Sequence, residues 1–150
     1  MNLRYNVWEH SAQVQDLYLR RARDEAEEMT CAAQCAEIAA DLARPGMRLL
    51  DAGCGSGYYH WSFARRGVPA TYHGIDSAPT LIDIGRKHLL PRAGLPEERL
   101  QATAIEDLDG RFDIVVCFNT LAFLPNYHGY LERLCDAAGR YLLKIGRAHV

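Results

Sequence analysis

The sequence predicts an α/β protein of three layers, in which helices cover both faces of a doubly wound, mostly parallel sheet. Two stretches carry this prediction. The stretch 49–59, LLDAGCGSGYY, is a short apolar strand that ends in an acid, passes through glycines and opens a helix. Such a unit builds a ligand site at the carboxyl edge of a sheet. The stretch 112–117, FDIVVC, is a continuous apolar run between polar turns, which is typical of a strand buried on both faces.

Hydrophobic periodicity and turn residues predict the remaining elements in order. An amphipathic helix is expected within 1–23, and the acids of 24–28 are expected to open a second helix that ends before Pro45-Gly46. The helix after the glycine loop should end at Gly67, a C-capping glycine. The other predicted strands are 47–51, 71–76, 100–105 and 140–144, and the other predicted helices are 80–90 and 127–138.

Length and composition exclude several classes of protein. The 150 residues suit one domain, and the formal net charge of −2 comes with no stripe of Lys or Arg that would mark a nucleic-acid surface. No apolar run reaches the length of a membrane span, and the N-terminus has no signal-peptide pattern. We therefore expect a soluble cytoplasmic protein that binds neither nucleic acid nor membrane; its oligomeric state is left open.

The five cysteines form no CxxC pair and have no histidine at metal-ligand spacing. Cys31 and Cys35 lie one helical turn apart, so they could hold a metal or oxidise. Small buried apolar residues are the favoured interpretation. No metal site is predicted.

The glycine loop has the spacing D-x-G-x-G-x-G. Gly53, Gly55 and Gly57 permit positive φ and a close approach of the backbone to a ligand. Asp51, at the end of the strand, is placed to accept hydrogen bonds from a cationic or hydroxylated ligand. The fingerprint of dinucleotide-binding proteins, G-x-G-x-x-G, would need a glycine where Tyr58 stands.

This stretch resembles motif I of the class I S-adenosylmethionine-dependent methyltransferases. The resemblance extends from Arg48 to Lys144 and implies a Rossmann-like sheet of order 3-2-1-4-5. It also implies that the cofactor is S-adenosylmethionine (SAM) and that the glycine loop wraps the methionine half of it. The activity it implies is methyl transfer to an unidentified acceptor, with a small molecule as the expected substrate.

The acid at the end of the second strand is the expected ribose ligand. Asp76 follows the glycine loop by about the interval seen for ribose-binding acids in nucleotide folds, and Ser77 lies beside it. The alternative is an acid at the start of a helix, which Ser77 and Pro79 also suggest. The two roles are compatible.

Two further contacts with the cofactor are implied by the resemblance alone. The acid that commonly meets the adenine is replaced here by an alanine, so the amide of Ile105 and the carboxylate of Glu106 are the expected adenine contacts, with Asp107 as the alternative acid. After strand four, the backbone of Cys117 and the residue Asn119 are expected near the methyl-bearing sulfur of the cofactor.

The resemblance divides the chain into three parts. Residues 1–46 are expected to form a helical lid or cap, with lid candidates Tyr5, Trp8, His10 and Gln34, although a helix packed on the sheet is the favoured alternative. Residues 47–144 are expected to form the SAM-binding core. Residues 145–150, IGRAHV, resemble a translated sequencing adapter and are expected to be a non-native tail. The core would then lack the last strands of the family, leaving strand five as an exposed edge.

No catalytic residue is assigned. His60, Tyr127 and His128 are possible general bases, and each is equally well explained as a surface or packing residue. Two other functions compete with methyl transfer. A nicotinamide-dependent oxidoreductase is disfavoured by Tyr58 and by the acid at Asp51. A non-catalytic, methyltransferase-like module would retain cofactor binding without turnover.

Overall fold

The computed structural model describes residues 7–121 and 124–145 of the chain. The helices are α1 (Val7–His10), α2 (Ala12–Ala22), α3 (Thr30–Leu42), α4 (Tyr59–Arg65), α5 (Pro79–Ile84), α6 (Leu90–Ala93) and α7 (Tyr127–Ala137). The strands are β1 (Arg48–Ala52), β2 (Thr71–Asp76), β3 (Leu100–Ala102), β4 (Phe112–Phe118) and β5 (Ala138–Ile145). A π-helical turn, Gly85–Leu89, joins α5 to α6. No helix within these described ranges is long and apolar enough to span a bilayer.

The strands form one parallel sheet in the order β3-β2-β1-β4-β5. The predicted fold class and strand order are therefore confirmed. The winding reverses between β1 and β4, and a crevice for ligands opens outside the carboxyl ends of strands at such a point. Asp51 pairs with Val116 in register. The glycine loop and the turn after β4 consequently leave the sheet side by side.

The core lies on both faces of the sheet. Leu49 belongs to one buried cluster and Leu50 to the other, because successive side chains of a strand point to opposite faces. The first cluster contains residues of α3 and α4, such as Ala36 and Phe63. The second contains residues of α7, such as Leu134. The three predicted layers are present.

Two of the predicted boundaries that differ from the structure have a clear physical reason. The acids of 24–28 do not open a helix, since α3 begins only at Thr30 and Asp24 has a left-handed φ of 59°. The carboxylates of Asp24 and Glu28 instead bond to residues at the end of α4, and this tertiary pairing overrides the local preference of acids for a helix start. The third strand ends at Ala102 and not at residue 105, because the chain turns into a 3₁₀ turn at Ile105–Asp107.

Strand β5 forms one edge of the sheet. Among residues 7–121 and 124–145, no strand pairs with its outer side, and Tyr141 is exposed there. Ile145, the first residue of the predicted tail, is the last residue of β5 and lies opposite Phe118. Residues 146–150 lie outside the described part of the chain.

The acidic segment before α3 is fastened to α4 by charged hydrogen bonds. Both oxygens of Glu28 accept bonds from the guanidinium of Arg66, each at 2.9 Å, and the hydroxyl of Ser62 donates to Glu28 at 2.7 Å. These bonds, led by that to Arg66, lower the pKa of Glu28 to about 2. Arg65 adds a bond to Asp24. The segment that joins the N-terminal helices to the core is thus held by one bidentate ion pair and its neighbours.

The substitution Glu28→Gln is expected to lower the free energy of unfolding at pH 7 by about 1 kcal/mol, the scale of a partly exposed ion pair. Because the folded-state pKa is depressed, this contribution is present above the ordinary pKa of glutamate. It is lost as the pH falls from about 4.5 toward about 2. Urea denaturation at pH 7 and pH 3 measures both effects. The matched control is Glu37→Gln, since Glu37 faces the same guanidinium at 3.9 Å and is largely exposed. Equal losses for the two variants would contradict the prediction.

Candidate cofactor site

The glycine loop turns sharply at the carboxyl edge of the sheet. Gly53, Gly55 and Gly57 all have positive φ, from 60° to 82°. The N–H groups of Gly53 and Cys54 both donate to the carbonyl of Ile75, at 2.8 and 2.9 Å. The loop is therefore fastened to the end of β2.

Any side chain at Gly55 or Gly53 would collide with another part of the protein. A Cβ at Gly55 would lie 2.3 Å from Cε1 of Tyr18 in α2, and a Cβ at Gly53 would lie 2.2 Å from Oγ1 of Thr120 after β4. Both glycines also have φ values that L side chains rarely adopt. The sequence analysis expected a ligand to approach these glycines closely. In the structure, the side chains of Tyr18 and Thr120 lie directly against the loop at these positions.

Helix α2 is bound to the loop through Tyr18, which the sequence analysis did not single out. The backbone carbonyl of Tyr18 accepts a hydrogen bond from the hydroxyl of Ser56 at 2.9 Å. Its ring packs edge-on against Tyr58, with centroids 5.6 Å apart. The only local signal was the position of Tyr18 on the apolar face of an amphipathic helix, and that signal does not distinguish a site residue from a packing residue.

Asp51 lies beneath the loop. Its side chain is 4% exposed and accepts a hydrogen bond of 2.7 Å from the hydroxyl of Tyr72 in β2. Burial raises the pKa of Asp51 to about 7, although the Tyr72 bond opposes this shift. The sequence analysis expected Asp51 to accept a hydrogen bond from a ligand. In this structure the donor is Tyr72 of the neighbouring strand β2.

Asp76 connects the loop to the start of α5. One carboxylate oxygen accepts the N–H of Gly55 at 2.8 Å and the other accepts the N–H of Ala78 at 2.9 Å. Burial raises the pKa of Asp76, and these two N–H groups partly offset the shift. Ser77 is exposed and does not cap α5, whose N-cap position is Ala78. Asp76 therefore accepts a hydrogen bond at the start of α5, the role that the sequence left open, and it also contacts the glycine loop.

The predicted adenine contacts lie beyond β3, at the same edge of the sheet. Ile105 is buried and begins the 3₁₀ turn, while Glu106 and Asp107 are both exposed. The carbonyl of Glu106 accepts a bond of 3.2 Å from Arg133 of α7, which ties the turn to that helix. The structure gives no preference between the two acids.

The turn after β4 brings Asn119 and Thr120 beside the glycine loop. Cys117 is fully buried, with its side chain in the core. Asn119 is exposed, has a left-handed φ of 59° and donates from Nδ2 to the sulfur of Cys31 at 3.4 Å. The hydroxyl of Thr120 reaches the carbonyl of Gly53 at 3.5 Å. The crevice between β1 and β4 is thus bordered by the loop on one side and by this turn on the other.

Among the lid candidates, Tyr5 lies outside the described residues. The ring of Trp8 packs edge-on against Tyr18, with centroids 5.9 Å apart, and Tyr18 in turn packs against Tyr58 of the loop. His10 and Gln34 are exposed. Glu9, which the sequence analysis did not consider, accepts the N–H of Thr80 at 3.2 Å and joins α1 to α5.

A known family matches the part of the chain that contains this site. The sequence model of a family described as "Methyltransferase domain" matches residues 50–140, which include the glycine loop, Asp76 and the turn after β4. The chain belongs to this methyltransferase family.

The curated relatives that this methyltransferase domain matches are longer than the matched region. It is 39% identical, over 93 residues, to the ubiquinone biosynthesis O-methyltransferase of Xanthomonas campestris pv. campestris, a match that covers 59% of this chain and 37% of that protein. The chain thus spans less than half the length of the curated relatives it matches.

Solved structures share the fold at low sequence identity. Magnesium protoporphyrin IX methyltransferase from Synechocystis PCC 6803, crystallised with SAM, has a TM-score of 0.68 and 17% identity; the match covers 92% of this chain and 71% of that one. The plantazolicin methyltransferase BpumL, solved with S-adenosylhomocysteine (SAH), has a TM-score of 0.64 and 16% identity, covering 93% and 56% of the two chains.

Proposed function

We propose that this chain binds SAM at the carboxyl edge of its sheet and is the cofactor-binding part of an enzyme that methylates a small molecule on oxygen. The observation that carries the proposal is the bond from the N–H of Gly55 to Asp76, which joins a left-handed glycine loop to an acid at the end of the next strand. The name of the Xanthomonas relative supports oxygen as the acceptor atom.

The residues at this edge are suited to such a cofactor. The carboxylate of Asp76 is held by two backbone N–H groups and is not fully buried, so it can also accept the ribose hydroxyls. We assign the methionine half to the loop of Gly53, Gly55 and Gly57, below which Asp51 adds a carboxyl group. The remaining proposed contacts are Ser77, Ile105, Glu106, Cys117 and Asn119.

The chain's own contribution to methyl transfer is alignment. SAM supplies, when bound, a methyl group made electrophilic by its positively charged sulfur, so the protein has mainly to position an acceptor in line with it. The turn after β4 borders the crevice and is the place from which an acceptor would be held. No general base is proposed.

Residues 1–46 are proposed as a cap on the 47–144 core. Support comes from the contacts of α2 with the loop and from the bond between Glu9 and Thr80. The cytoplasmic location, the absence of nucleic-acid partners and the non-native tail at 145–150 stay predictions from the sequence.

The proposal predicts that Asp76→Ala weakens SAH binding by about 1–3 kcal/mol, the scale of leaving buried hydroxyl groups unpaired. Because Asp76 also holds Gly55, part of this loss should appear for ligands that lack a ribose. Isothermal calorimetry with SAH, adenosine and homocysteine separates the two contributions. The loss should be larger for SAH and adenosine than for homocysteine.

The variant Asp76→Asn is the matched control, since its amide oxygen still accepts one backbone N–H. It should recover part of the homocysteine affinity and little of the adenosine affinity. Equal losses for all three ligands would mean that Asp76 supports the loop and does not bind ribose. Absence of SAH binding to the unsubstituted protein would overturn the proposed function itself.

A further inference from the structure

The two carboxyl groups at the glycine loop are held in opposite ways. Asp76 accepts one backbone N–H on each oxygen, which favours its ionised form. Asp51 lies deeper, with 4% of its surface exposed, and only Oδ2 has a donor, the hydroxyl of Tyr72 at 2.7 Å. An ionised carboxylate can accept about four hydrogen bonds. The surroundings of Asp51 therefore suit a protonated carboxyl group better than a carboxylate.

Within residues 7–121 and 124–145, no Lys, Arg or His side chain pairs with Asp51. The thiols and phenol hydroxyls that face it are neutral at pH 7, since burial raises the pKa of each, and the other acid facing it is Asp76. These groups come from every element around Asp51: Cys35 of α3, Cys54 of the loop, Tyr58 and Tyr59 at the start of α4, Tyr72 and Asp76 of β2, and Cys117 of β4.

A buried carboxylate needs a cation beside it. Moving an unpaired negative charge out of water is costly, so such a group keeps its proton until a counter-ion reaches it. Glu28 is the opposite case in this chain, because Arg66 bonds to both of its oxygens and lowers its pKa to about 2. Burial raises the pKa of Asp51 to about 7. A cation for Asp51 is therefore expected from a ligand.

One oxygen of Asp51 is open to such a ligand. In the described part of the chain Oδ1 has no hydrogen-bond partner, and the only fully buried side-chain nitrogen or oxygen without one is Nδ1 of His60. Oδ1 consequently belongs to the small exposed fraction of Asp51. The glycine loop begins two residues later, at Gly53. A positively charged group on a ligand held by the loop is thus close to the one free acceptor of the buried acid.

We propose that Asp51 gives up its proton when it binds the positively charged methionine end of the cofactor, so that cofactor binding and ionisation of this acid are one event. The O–H bond breaks, its electron pair stays on the oxygen, the proton goes to solvent, and the positive charge of the ligand balances the new carboxylate. Tyr72 is a positioning residue, since its hydroxyl stabilises the carboxylate form. This inference rests on the proposed function, because it concerns the same site.

The probe is SAH, which has the ammonium group of the methionine half, and the comparison ligand is methylthioadenosine, which lacks it. Isothermal calorimetry in buffers of different ionisation enthalpy counts the protons released on binding at pH 6, 7 and 8. SAH should release close to one proton at pH 6, about half a proton at pH 7 and about a tenth of one at pH 8. Its affinity should rise about tenfold from pH 6 to pH 8. Methylthioadenosine has the same ribose for Asp76, so the difference between the ligands belongs to Asp51.

Three variants identify the group that loses the proton. Asp51→Asn has no carboxyl proton, so SAH should release as few protons as methylthioadenosine, and its affinity at pH 8 should fall at least about tenfold for the lost charged contact. Tyr72→Phe removes the donor that favours the carboxylate, so SAH should release more protons at pH 8 than it does from the parent protein. Asp136→Asn, at an exposed position of α7, is the control and should match the parent protein.

Equal proton counts for SAH and methylthioadenosine on the parent protein would overturn the inference and leave the proposed function standing. So would an Asp51→Asn variant that releases as many protons as the parent protein, since another group would then be their source. If Asp51→Asn does not fold, Tyr72→Phe decides, and an unchanged count at pH 8 contradicts the inference. Failure of SAH to bind at any of these pH values would remove the proposed function, and the inference with it.

Discussion

The substitution Gly55→Ala is expected to unfasten helix α2 from the glycine loop and to abolish tight cofactor binding. The new Cβ would lie 2.3 Å from the ring of Tyr18, so either the ring or the loop must move. Overpacking of this kind costs about 1–3 kcal/mol. The left-handed φ of 60° adds about 1 kcal/mol of backbone strain. We expect the free energy of unfolding to fall by about 3 kcal/mol and the dissociation constant of SAH to rise at least about tenfold.

The control for this prediction is Gly67→Ala. Gly67, after α4, has nearly the same φ, 62°, but nothing lies within 4 Å of the Cβ it would carry. It should therefore show the backbone cost of about 1 kcal/mol alone, with unchanged SAH affinity. Urea denaturation and calorimetry on the two variants measure both quantities. If they lose equal stability and bind SAH equally well, Tyr18 does not press on the loop and the contact has no role in the site.

A second large effect is expected at the buried carboxyl group of Asp51. Its folded-state pKa, about 7, is raised above the value of 3.8 in an unfolded chain, chiefly by burial. The folded protein thus keeps a proton that the unfolded chain releases, so the free energy of unfolding should fall as the pH rises through this window. Over the whole window the loss amounts to about 4 kcal/mol.

Replacing Asp51 by asparagine should remove that pH dependence. The amide keeps the shape and still accepts a bond from Tyr72, but it has no proton to lose. Urea denaturation at pH 4, 5.5 and 7 should show the asparagine variant gaining stability relative to the parent protein as the pH rises. Tyr72→Phe removes the bond that lowers the pKa of Asp51, and should move the window to higher pH.

The control is Asp136→Asn, at an exposed position of α7, which should leave the slope unchanged. A parent protein and an Asp51→Asn variant whose stabilities run parallel from pH 4 to pH 7 would show that Asp51 titrates like an exposed acid. The structural role of Asp51 would then be limited to its hydrogen bond with Tyr72.

Much of the fold could be predicted from the sequence because its signals are local. Strand β2 was predicted at 71–76 and is found over those residues, since an alternating apolar run between turn residues specifies its own ends. The glycine loop and the C-capping Gly67 follow from the positive φ that glycine alone adopts at little cost. The strand order came from the family resemblance, not from the pattern of any one segment.

The sequence by itself therefore determined the elements, the loop and the acid at the end of β2. Only the tertiary structure decided which groups meet: Tyr72 with Asp51, Tyr18 with Gly55, and Asn119 with Cys31, a pair separated by 88 residues. It also decided that the acids before α3 pair with Arg65 and Arg66 and do not open a helix. The physical reason is that burial of apolar surface, which packs the helices on the sheet, is not directional. A local pattern states that a helix face is buried, and the packing of distant segments determines which side chain lies opposite it.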